Sequence, residues 1–159
     1  MSDQKHKYRV DLEWKEGRTG TLGAPELDDT IEVATPPPFD GGVEGIWSPE
    51  HLFVSSVSSC FMTTFLAIAE YSRLTFEHLE VHATGELDKE EGKFVVSAIT
   101  LQPELTITDE KFTDKAGRIM EKAEEACLIT RSVNSTIHFE PKVSIATTDS
   151  KASNKTESK

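Results

Sequence analysis

A chain of 159 residues, 36% hydrophobic and with a formal net charge of −11, is the size of one domain able to bury a single core. The acidic balance excludes nucleic-acid binding, which needs a basic stripe, and adhesion to an anionic membrane surface. The polar opening MSDQKHKYRV lacks the apolar segment of a secretory signal, so a cytoplasmic location is expected.

In KYRVDLEW (7–14), Tyr8, Val10, Leu12 and Trp14 alternate with polar residues, the period of a half-buried strand. EGRTG then reads as a turn, TGTLG as the return strand and TIEVAT (30–35) as a third short strand. PPPFDGGVEG is too rich in proline and glycine for regular structure. SPEH opens the main helix: Ser48 is the N-cap, Pro49 takes the first helical position and Glu50 suits the positive end of the dipole. The helix should run from Pro49 to about Tyr71, with Phe53, Val57, Cys60, Thr64 and Ile68 at helical spacing and Leu52, Phe61, Phe65 and Leu66 widening the apolar surface. Its uncharged stretch Leu52–Ala69 approaches the length of a membrane span. Its many serines and threonines favour a helix buried in protein instead, with Ser55, Ser56, Ser58 and Ser59 permitting close backbone approach.

HLEVHATGEL (78–87), the loop DKEEGK and FVVSAITLQPELTI (94–107) read as a long hairpin. Thr108 or Asp109 caps a second helix with Phe112, Ala116, Ile119, Met120, Ala123 and Cys127 on one face. STIHFEPKVSIA (135–146) is a closing strand interrupted at Pro141, and 147–159 a disordered polar tail. The order implies one α+β domain over 1–146.

The two cysteines, Cys60 and Cys127, have no partners at metal-ligand spacing, and a structural disulfide is not expected in a cytosolic chain. His51, His78, His82 and His138 are scattered and are explained by surface or strand positions. Cys60 taken alone is a small core residue as readily as a nucleophile; Arg18 alone is a turn residue and Glu50 a first-turn acid.

Together the four residues lie in motifs that resemble those of the OsmC/Ohr family of hydroperoxide-reducing proteins. SPEHLFVSSVSSCF is similar to the family's Pro-Glu helix opening with its peroxidatic cysteine. KAEEACLITRSV resembles its second-cysteine motif, and EGRTG its Gly-Arg-x-Gly turn. The resemblance spans roughly residues 7–146. It implies antiparallel sheets wrapped around two long central helices in an intertwined homodimer. It also implies Cys60 as peroxidatic cysteine, Cys127 as resolving cysteine, Arg18 as the cation stabilising the thiolate and Glu50 as the carboxylate orienting Arg18. No metal or haem is implied; recycling would fall to an external dithiol, lipoylated or thioredoxin-like. Leu128 stands where many members have proline, and Ile46-Trp47 where Gly-Thr-Asn is frequent.

Glu50 and Cys60 lie ten residues apart, about 15 Å along a straight helix. Antiparallel pairing of two such helices would bring Glu50 of one chain near Cys60 of the other, so a homodimer with shared sites is expected. Phe39, Ile46, Trp47, Phe61 and Met62 are candidate walls of an apolar mouth for alkyl or lipid hydroperoxides. The alternative is a non-enzymatic dimer of the same fold that binds a small apolar ligand or senses redox state.

Overall fold

The computed structural model describes residues 5–147; all but the first residue of the expected polar tail lies outside them. The chain forms two compact units, Met1–Phe53 and Val54–Lys159.

In the first unit, β1 (Asp11–Glu16), β2 (Thr19–Gly23) and β3 (Ile31–Ala34) form an antiparallel sheet in that order. All six residues of β1 are exposed in the single chain. The alternation of KYRVDLEW therefore marks a strand, but its apolar face is not half-buried as expected: Tyr8, Val10, Leu12 and Trp14 face outward. After β3 the backbone returns through a loop in which Ala34 N–H donates to Trp47 C=O at 2.8 Å.

Helix α1 spans Pro49–Tyr71, and Ser48 caps it. The Ser48 hydroxyl oxygen accepts from His51 N–H at 3.2 Å, while His51 Nδ1 accepts Ser48 N–H at 3.2 Å and lies 2.7 Å from the same hydroxyl. This is a capping box with histidine in the place usual for glutamate. The helix stops where Arg73 takes a left-handed φ of 58°, and Leu74 N–H then reaches back to Ala69 C=O at 2.9 Å.

In the second unit α1 lies on a long hairpin, β4 (His78–Glu90) and β5 (Lys93–Ile107). The contact is close: a Cβ on Gly85 would stand 2.5 Å from Val54 Cγ2. The hairpin outruns its expected loop. Pairing continues to Glu90–Lys93, and only Glu91 and Gly92, with φ of 52° and 79°, make the turn, the backbone of a tight two-residue hairpin. Asp109 Oδ1 accepts from Lys111 N–H at 3.0 Å and starts a 3-10 turn, Glu110–Phe112, that leads into α2 (Thr113–Ala126). A short helix α3 (Leu128–Ser132) follows, then β6 (Thr136–Phe139) and β7 (Lys142–Ile145).

The expected closing strand is thus two strands broken at Glu140–Pro141. Both pair parallel to β5, one after the other along the same edge, so this second sheet is mixed rather than purely antiparallel. The reason is topological: the chain crosses over through α2 before returning to β5, and crossover connections produce parallel neighbours. The core joins Val57, Phe61, Phe65 and Ala69 of α1 to Ile99, Leu101, Leu105 and Ile107 of β5 and to Ala116, Ile119, Met120 and Ala123 of α2. The buried stripe of α1 is displaced around the helix from the expected one, leaving Phe53, Met62 and Leu66 exposed. By length and composition α1 could cross a membrane, yet this stripe is spent on the protein core.

Candidate active site

Cys60 lies mid-way along α1, one residue before the core Phe61. Cys127 sits where α2 ends and α3 begins, with φ −65° and ψ 114°. That single extended residue turns the chain, so the buried Cys127 side chain meets Cys60 and the first amides of α3 face the same sulfur. Both cysteines are free thiols.

Their environments differ in sign. Burial pushes the Cys60 thiol up. Hydrogen bonds from the Cys127 thiol, the Ile129 N–H, the Thr64 hydroxyl and the Leu128 N–H outweigh it, and the net pKa is lowered. Thr64 Oγ1 stands 3.9 Å from Cys60 Sγ, one helical turn along. For Cys127 burial dominates and raises the pKa; the neighbouring Cys60 raises it further, and Thr130 only partly offsets both. Cys127 therefore holds its proton and donates it to Cys60. Thr130 Oγ1 is buried without a partner at full hydrogen-bond geometry, though near enough to Cys127 to ease its ionisation.

In the first unit Arg18 occupies the turn between β1 and β2, where both glycines of Gly-Arg-x-Gly have a steric reason. Gly17 has φ +54°, and a Cβ on Gly20 would lie 2.9 Å from the Glu13 carbonyl oxygen. Arg18 lines a cleft of about 430 Å³ with Leu12, Trp14, Val33 and Pro49. Its side chain also packs on Gly41, whose Cβ would meet Arg18 Nε at 3.0 Å. Glu50 is half-buried in the first turn of α1, and among the described residues no ion pair joins it to Arg18.

The candidate walls separate. Ile46 and Trp47 line a second cleft, about 460 Å³, with Pro37, Val43 and His51. Phe39 is half-buried in the proline turn, its N–H donating to Pro36 C=O at 3.1 Å. Met62 is 41% exposed on α1. Phe61 is fully buried, stacked on Phe65 and tilted against Phe139, so it fills the core and forms no wall of an open mouth. His78, His82 and His138 are exposed on strands.

Sequence reasoning placed Thr64 on the helical stripe and Leu128 where many members have proline, but missed both as donors to Cys60, and missed Ile129 and Thr130 altogether. The threonines had a usable signal, four residues after Cys60 and three after Cys127; the amides had none.

A family model described as OsmC-like protein matches residues 41–142. The chain belongs to the OsmC-like family. Uncharacterized protein YmaD of Bacillus subtilis (strain 168) is 24% identical over 145 residues, covering 88% of this chain and 95% of that protein. An OsmC-like protein of unknown function from Vibrio cholerae has a solved structure similar to this one, with TM-score 0.77 and 26% identity over 86% of this chain and 99% of that one. An organic hydroperoxide resistance protein from Elizabethkingia anophelis shares the OsmC-like fold, with TM-score 0.72 and 19% identity over 91% of this chain and 100% of that one.

Proposed function

We infer that this OsmC-like chain is a thiol-dependent peroxidase that reduces organic hydroperoxides, alkyl or lipid, to alcohols. The observation that carries the reading is the dithiol: Cys60, with its pKa lowered, accepts a hydrogen bond from Cys127, whose pKa is raised. A lowered pKa puts more of Cys60 in the nucleophilic thiolate form. A protonated neighbour remains in reserve.

In the proposed cycle Cys60 thiolate attacks the terminal oxygen of ROOH. The S–O bond forms, the O–O bond breaks, and the alkoxide takes up a proton to leave as ROH. The Cys60 sulfenic acid condenses with the Cys127 thiol, forming the disulfide and releasing water. An external dithiol, lipoylated or thioredoxin-like, then supplies two electrons and two protons to restore both thiols.

Arg18 and Glu50 are assigned to the thiolate's electrostatic support. The span of ten residues from Glu50 to Cys60 favours their reaching it from a second copy, in a cytoplasmic homodimer with antiparallel α1 helices. The outward-facing Phe53, Met62 and Leu66 of α1, with Leu12 and Trp14 of β1, offer apolar surface for that pairing. The apolar linings beside Arg18 and Trp47 favour hydroperoxides with a hydrocarbon body over hydrogen peroxide.

The test is mass spectrometry after one equivalent of cumene hydroperoxide. Loss of two hydrogens with a Cys60–Cys127 linkage is expected within the mixing time of hand experiments. An unchanged dithiol would leave only a ligand-binding or sensing role for the fold.

A further inference from the structure

We propose that the outward face of the β4–β5 hairpin is a binding site for a borderline first-row divalent cation such as Zn²⁺, held by Glu80, His82 and Glu104. On β4 the residues Leu79, Val81 and Ala83 turn inward while His78, Glu80 and His82 turn out. Glu80 stands directly across from Glu104 of β5. Two carboxylates opposed in this way on a sheet repel each other. Lys142, across from Glu104 on β7, makes no ion pair with it among the described residues.

Imidazoles supply what the pair lacks. His82 Nε2 lies 3.4 Å from Glu80 Oε2, and His78 Nε2 lies 3.5 Å from the other oxygen, Oε1. One ligand atom each from Glu80, His82 and Glu104 falls within 4.8 Å of the others. Zinc bonds its nitrogen and oxygen ligands at about 2.0–2.2 Å, which sets neighbouring ligand atoms of a tetrahedral site about 3.4 Å apart. The His82–Glu80 edge already has that length. Glu104, an exposed side chain, closes the third corner by rotation about its own bonds, and water takes the fourth. His78 holds the free oxygen of Glu80, the outer-shell contact that orients a ligating carboxylate. Imidazole beside carboxylate favours zinc, cobalt or nickel over magnesium and calcium, which prefer oxygen alone. The three ligands come from two rigid, paired strands, so little ordering is needed on binding.

The experiment is calorimetric titration of ZnCl₂ into the full chain carrying C60S and C127S, which removes thiol competition. One zinc per chain is expected, with affinity falling about ten-fold or more in H82A and, separately, in E104Q. It should be unchanged in H138A on β6. Saturating zinc should raise the melting temperature of the parent and leave that of H82A where it was. All these positions are exposed, and circular dichroism verifies that each variant is folded. No heat of binding in the parent, or undiminished affinity in either H82A or E104Q, overturns the site.

Discussion

The Cys127 thiol donates to the Cys60 sulfur, and their acidities move in opposite directions, Cys60 down and Cys127 up. Burial is the larger cause of the rise at Cys127, and the hydrogen bond between the sulfurs adds to it; the same bond, with those from Ile129, Thr64 and Leu128, lowers Cys60 against its own burial.

Cys60 should therefore alkylate with iodoacetamide at a lower pH than an unfolded cysteine, and Cys127→Ala should move that midpoint upward. Cys60's share of stability is present above the unfolded thiol pKa and fades as pH falls through the folded value. Cys127's share is present below the unfolded pKa and fades as pH rises through the folded one. A midpoint unmoved by Cys127→Ala would show that the thiol–thiol hydrogen bond does not set the acidity.

Leu128→Pro isolates a different donor. Leu128 is the first residue of α3, 64% exposed, and its N–H points at Cys60 sulfur. Proline fits a first helical position while lacking the N–H. The variant should keep its melting temperature within a few degrees and shift the Cys60 alkylation midpoint upward. If the midpoint stays put, the three remaining donors suffice.

Ser48→Ala should cost about 0.5–2 kcal/mol in urea denaturation, since a buried hydroxyl caps the first turn of α1. His51→Ala should cost a similar amount and His51→Glu should recover most of it, because a carboxylate can accept the same Ser48 N–H. Equal stability of His51→Ala and the parent would rule out the capping box.

Gly85→Ala should destabilise by about 1–3 kcal/mol. Its new methyl would meet Val54 Cγ2 at 2.5 Å, and a β-branched helix residue has no spare rotamer to retreat into. Val54→Ala in the same chain should relieve the clash. A double variant no more stable than Gly85→Ala would argue against this contact.

The extent of α1 was legible because Ser48-Pro49-Glu50 marks its start unambiguously; its buried side was not. A helix apolar all round shows no preferred face, and contact with β4 and β5 selects Val57, Phe61, Phe65 and Ala69. That selection moves Phe61 from a candidate pocket wall into the core. The DKEEGK segment read as loop since charge and strand propensity conflict, yet cross-strand pairing there leaves every side chain exposed and the charges stay in water. At the dithiol, both cysteines could be picked out by motif. Two of the four donors acting on Cys60 are backbone amides, to which side-chain patterns are blind.

Cys127 has no exposed surface in the single chain, which would give the proposed dithiol cycle a direction. In that cycle an incoming reductant would meet the sulfur of Cys60, so the mixed disulfide would form there and Cys127 would depart as the leaving thiolate. Its suppressed acidity makes it a reluctant one. On that proposal oxidation and reduction would share a single doorway at the Cys60 sulfur.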